Sequence, residues 1–168
     1  STQEGRSPGY YDFLGIKDEA TFEDAIRFDA RTARKLEKLR AITWSGITQE
    51  PRRVDATRSA KGLYLRTFDQ KKGEAVGEND PLETLERAAL KYAASERFAP
   101  LPNGMVAWWL GNGEDKQQNE APSSVIQTDH TGGRDKRLLV GISCVRCHGE
   151  SKEANWIQEL SGIERIRE

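Results

Sequence analysis

Five residues, Cys144-Val145-Arg146-Cys147-His148, constrain this chain more than anything else in it. They use both of its cysteines and one of its two histidines. Two thiols three residues apart, followed at once by an imidazole, have the spacing of a covalent c-type haem attachment site. Each thiol can add to a vinyl group of one porphyrin, and the adjacent imidazole reaches the iron from the same face. Scattering two cysteines and two histidines at random in a chain this long would give the pattern roughly once in ten thousand sequences, so the match is specific. Tether and one axial ligand thus come from consecutive residues near the C-terminal end.

Two other chemistries use similar residues. A zinc site could draw on Cys144, Cys147, His148 and His130, but adjacent Cys147 and His148 strain to reach one tetrahedral ion, and ordinary zinc spacings separate the two halves. A thioredoxin-like dithiol needs a βαβ context that is not evident and leaves His148 without a role. Haem is therefore the expected cofactor, with Cys144 and Cys147 as thioether positions and His148 as proximal iron ligand.

The opposite side of the iron is less determined. Only 20 residues follow His148 and they hold neither methionine nor histidine. A sixth ligand from this chain is then Met105 or His130, with a vacant or water-bound position as the third choice. Met105 opens an apolar run where a packed core role competes. His130 lies in the polar stretch Gln127-Thr128-Asp129-His130-Thr131-Gly132-Gly133, where Asp129 could orient it. Arg134, Lys136 and Arg137 precede the motif closely enough to neutralise haem propionates, and Arg146 sits between the thioethers. Trp108 and Trp109 offer aromatic surface to a porphyrin, but strand alternation sends them to opposite sides, so only one is expected to touch it.

The chain has 168 residues, which suits a single domain, 1–168. Its 26 basic and 27 acidic side chains leave a net charge of -1, giving no reason to expect nucleic acid or an anionic membrane as partner. The longest apolar runs, Met105 to Leu110 and Leu138 to Ile142, are too short to span a bilayer, so no transmembrane segment is expected. The start, Ser1-Thr2-Gln3-Glu4-Gly5, reads as a linker or trimmed end and not as a signal peptide. Because haem is attached to this motif outside the bacterial cytoplasm, a signal or anchor upstream and a periplasmic or extracytoplasmic location are expected.

Residues 1–18 read as a partly extended segment whose Tyr10, Tyr11, Phe13 and Leu14 pack down. Thr21 as N-cap, with Asp24 three residues on, begins a helix whose stripe is Phe22, Ile26, Ala30, Ala33, Leu36 and Leu39 and which stops by Gly46. Arg53-Val54-Asp55 and Leu63 to Phe68, with Lys61-Gly62 between them, form a hairpin. Asp80-Pro81-Leu82-Glu83 begins a helix through Tyr92 that Pro100 and Pro102 end. Met105 to Leu110 is a strand turned back by Gly111-Asn112-Gly113 as a second hairpin. Residues 153–166 form a C-terminal helix, with Trp156, Ile157, Leu160 and Ile163 inward. The expected class is α+β, helices and two hairpins around covalent haem.

Known cytochrome templates are narrowed by the same facts. Class I cytochromes c carry the motif near the N-terminus with methionine well downstream, which this chain cannot reproduce. A four-helix bundle with the motif near its C-terminus conflicts with the two hairpins and the glycines and prolines of the middle.

Four phrases, Tyr10-Tyr11-Asp12-Phe13-Leu14-Gly15, Leu101-Pro102-Asn103-Gly104, Glu120-Ala121-Pro122 and Val140 to His148, together resemble the monohaem c-type cytochrome domains of secreted planctomycete proteins. The similarity spans most of the chain. It implies an extracytoplasmic haem domain belonging to a longer multidomain polypeptide, and no particular reaction. The leading expectation is one-electron transport with a redox partner protein and no enzymatic activity. A gas-binding haem sensor needs an open or labile sixth position. A peroxidase-like enzyme also needs a distal acid-base group such as His130.

Overall fold

Strand pairing organises the molecule. A computed structural model of the chain describes residues 9–29, 39–45, 48, 50–70, 90–122, 137–149 and 163–167. Six strands, β1 (Leu39–Trp44), β2 (Pro51–Ser59), β3 (Gly62–Asp69), β4 (Ala94–Pro100), β5 (Val106–Asn112) and β6 (Ile163–Arg167), form one antiparallel sheet in the order β5-β4-β3-β2-β1-β6. Among the described residues three helices accompany it: α1 (Tyr10–Leu14), α2 (Glu19–Ala25) and α3 (Ile142–Gly149). The class is mixed α and β, as the sequence indicated.

The first expected hairpin is present, β2 and β3 pairing from Arg52↔Asp69 to Ser59↔Gly62. The second is placed differently. The main partner of β5 is the preceding strand β4, from Ala94↔Asn112 to Pro100↔Val106, and the connection is Leu101 to Met105. The expected return at Gly111 to Gly113 amounts to one bridge, Gly111↔Gln117.

Three expected helices need correction. The one beginning near Thr21 starts earlier and is short: Asp18 is the N-cap, its carboxylate accepting from Thr21 N at 2.8 Å while Thr21 Oγ1 accepts from Asp18 N at 3.0 Å. The turn after α2 carries Arg27 in the left-handed region at φ 53°. Phe22 and Ile26 are fully buried, as the stripe required, but Leu39 opens β1, and residues 30–38 lie outside those described. Leu39 fits helical spacing by coincidence, because β2 and β6 pair with Ile42-Thr43-Trp44 and its neighbours and override the local pattern. Likewise Ala94–Pro100, read as the tail of a helix, is β4; Ala, Glu and Arg favour helix, but both faces of this segment are buried in a sheet. Residues 80–89 are outside the description. Ile163 to Ile166, read as the end of a C-terminal helix, belong to β6, and 153–162 are not described.

Helices pack on both faces of the sheet, which sets the layering. On one face Phe22 meets Trp109 and Tyr64 at ring-centroid distances of 5.9 Å, Phe28 meets Tyr64 at 4.9 Å, and Glu19 reaches Arg97 at 3.3 Å. The register carries Val54, Ala56, Leu65, Phe98 and Trp108 to the other face, where α3 lies against its β5 end. That face is graded. Toward Asp69 it holds a bidentate Arg52–Asp69 pair, at 2.7 and 3.0 Å, and toward the β4–β5 turn it is apolar.

α1 stands against the edge strand β5. The Tyr10 hydroxyl accepts from Trp108 N at 2.8 Å, and the Tyr11 hydroxyl accepts from Leu110 N at 2.9 Å. The segment read as extended is therefore helical over Tyr10–Leu14, closed by Gly15 at φ 69°. Tyr11 is buried and Tyr10 and Leu14 partly so, but Phe13, expected inward, is 77% exposed. No helix among the described residues is long and apolar enough to cross a membrane.

Candidate haem site

α3 carries the whole Cys-x-x-Cys-His run. At about 100° per residue, positions 144, 147 and 148 of the helical backbone fall within one sector about 100° wide. The residues leading into α3 fix it to the sheet edge. Ala121 N donates to Leu138 O at 2.9 Å and Val140 N to Asn119 O at 3.0 Å. Ser143 then closes the first turn: its hydroxyl accepts from Leu139 N at 3.1 Å, and its own N donates to Leu139 O at 3.0 Å.

His148 is half-buried, with its ring 5.1 Å from that of Trp108 and 5.8 Å from that of Phe98. Phe98 and Trp108 are cross-strand partners with rings 5.3 Å apart, so the imidazole rests on an aromatic floor built by β4 and β5. Cys144 is 2% exposed and belongs to the apolar core with Tyr11, Val140 and Trp108. It lies near enough to Tyr10 and Tyr11 to raise both phenol pKa values slightly. Burial is the larger cause there: it pushes Tyr10 up to about 12 against the opposing effect of its bond from Trp108 N, and it moves Tyr11 in the same direction.

The donor types fit a covalently held haem, because two cysteine positions one turn apart on one helix and an adjacent imidazole are what attachment and ligation require. The other expected contacts divide. Trp108 joins His148, whereas Trp109 points to the opposite face and packs on Tyr11, Phe22 and the Arg97 guanidinium, as strand alternation required. Arg137 is exposed, 3.4 Å from Glu120 beside the entry to α3. The side chains of Arg146 and Cys147, and all of His130, Arg134 and Lys136, lie outside the described residues. Met105, for which a core role was one reading, is 61% exposed at the β4–β5 turn.

Sequence reading missed Phe98, Tyr10 and Gly141 as parts of this site. Phe98 was hidden inside the misread helix. Gly141, at φ 77°, had a visible signal in its place just before the motif helix, where no side chain is tolerated against Tyr10. Compared with known proteins, the chain matches no family model, no curated protein and no solved structure.

Proposed function

We propose that this chain is a monohaem c-type cytochrome domain of the kind its sequence phrases resemble, carrying single electrons outside the cytoplasm to a redox partner protein. One observation carries the reading: the Cys144–His148 run is helical, and His148 is held half-buried on the Phe98–Trp108 floor. When bound, haem supplies a one-electron iron couple. This chain's residues do the rest. Cys144 and Cys147 tether the macrocycle, His148 provides the proximal nitrogen, and the aromatic floor fixes the imidazole and limits water around it. Met105 and His130 are the candidates for the distal position.

Production with the haem maturation machinery, followed by denaturing electrophoresis with haem staining and spectra of both oxidation states with and without carbon monoxide, tests this. Stain that stays with the protein, and a ferrous spectrum indifferent to carbon monoxide, are expected. Absence of covalent haem would sink the proposal, and rapid carbon monoxide binding would transfer it to gas sensing.

A further inference from the structure

Beside the aromatic floor lies a second row of side chains. Two residues along each strand from the row Leu65–Phe98–Trp108, the same face carries Arg58, Leu63, Pro100 and Val106. Arg58 pairs with Leu63 across β2 and β3, and Pro100 with Val106 across β4 and β5. The Pro100 ring reaches β3 at Gly62, its Cγ lying 3.3 Å from where a Cβ on that glycine would stand. The row is apolar but poorly covered: Leu63 is 48% exposed and Val106 and Pro100 are half-buried. Arg58, at its far end, is exposed.

Isolated exposed hydrophobes need no explanation, but a continuous cross-strand row ending in a cation is a shaped surface. At about 4.8 Å between strands, Leu63, Pro100 and Val106 span roughly 10 Å. They adjoin the one histidine of the motif, whose ring stands on the next row. The opposite end of this face is occupied by the buried Arg52–Asp69 pair and is closed to an apolar ligand.

Resting on the haem reading above, we infer that the row Leu63–Pro100–Val106 is the apolar bed of the porphyrin and that Arg58 meets one of its propionate carboxylates. The flat hydrophobic macrocycle would cover the exposed row, and its anionic edge would find the guanidinium at the end of that row.

Proton NMR of the holoprotein, in the ferrous state with carbon monoxide added where the iron is high-spin, tests the placement. The Leu63 and Val106 methyl signals are expected to shift upfield under the porphyrin ring current, relative to the haem-free Cys144→Ala/Cys147→Ala chain. Covalent haem with both sets of methyls unshifted would overturn the placement while leaving the cytochrome reading intact, whereas a chain that attaches no haem would overturn both. Arg58→Gln is expected to lower the reduction potential, since a cation beside the propionate stabilises the more negative ferrous state, and to weaken its dependence on salt. An unchanged potential and salt dependence would overturn the role of Arg58.

Discussion

A side chain on Gly141 would collide with Tyr10: a Cβ there would stand 2.5 Å from Cδ2 and 2.8 Å from Cε2 of the phenol ring. The ring cannot retreat easily, because its hydroxyl holds Trp108 N. Gly141→Ala is therefore expected to destabilise the fold by about 2–4 kcal/mol, combining the left-handed backbone penalty with overpacking against a rigid ring. Gly104→Ala is the control. It has a similar φ of 85° but nothing within 4 Å, so a cost of about 1–2 kcal/mol is expected from the backbone alone. Urea unfolding of both variants measures the difference, and equal costs would show that Tyr10 does not restrain the entry to α3.

Alkali should destabilise the same packing, because it puts a charge on a buried phenol. Burial raises the Tyr10 pKa from 10.0 to about 12, so its neutral form is favoured by folding. The stability this contributes is complete below pH 10 and is lost as pH rises through about 12. Tyr11 and Tyr64 are shifted in the same direction, again chiefly by burial. Absorbance of tyrosinate is expected to rise near pH 10 in urea-unfolded protein and well above it in native protein. A native titration centred at 10 would contradict the burial of these phenols.

Because Met105 is exposed, replacing it tests ligation with little structural side effect. Met105→Leu is expected to change stability by no more than about 0.5 kcal/mol. A changed spectrum in the holoprotein would then assign Met105 to the iron, an unchanged one would leave His130→Ala as the deciding variant, and no change in either would remove both candidates.

Arg97 is fully buried, stacks 5.3 Å over Trp109, and pairs with Asp115 and with Glu19. Its Nε and Nη1 have no hydrogen-bond partner, so the site is already costly. Asp115→Ala, which takes from the buried guanidinium its nearest carboxylate, is expected to lose about 3–5 kcal/mol. Arg97→Met keeps the stacking bulk and should cost less. Thermal or urea unfolding of the two variants compares them, and the reverse order would mean that the arginine itself, not its pairing, holds this face.

How far the sequence spoke depended on whether a signal was local. The Lys61-Gly62 turn and the branched residues before and after it announced β2 and β3, because hairpin chemistry is contained in a dozen residues. The Cys144–His148 run was legible for the same reason, because its spacing is contained in five residues. β4 stayed hidden because Ala94-Ser95-Glu96-Arg97 carries no strand bias and is buried on both faces, which erases the alternation a strand reader looks for. β6 and β1 are joined by pairing between residues more than a hundred apart, a relationship no window contains. Within the site, Trp108 was legible as one of two alternating indoles. The choice between them, and the arrival of Phe98 and Tyr10, required the register of β4 against β5 and the docking of α1.

The hydroxyls of Tyr10 and Tyr11 have an effect beyond anchoring α1. β5 is a terminal strand of the sheet, and terminal strands invite neighbouring molecules to add on by backbone pairing. With the outward amides of Trp108 and Leu110 already engaged, and the Leu110 carbonyl taken by Gln118 N at 2.9 Å, that template is withdrawn along the stretch beneath His148. The surface around the histidine can therefore stay accessible without offering β5 as a template for fibrils or strand-swapped dimers.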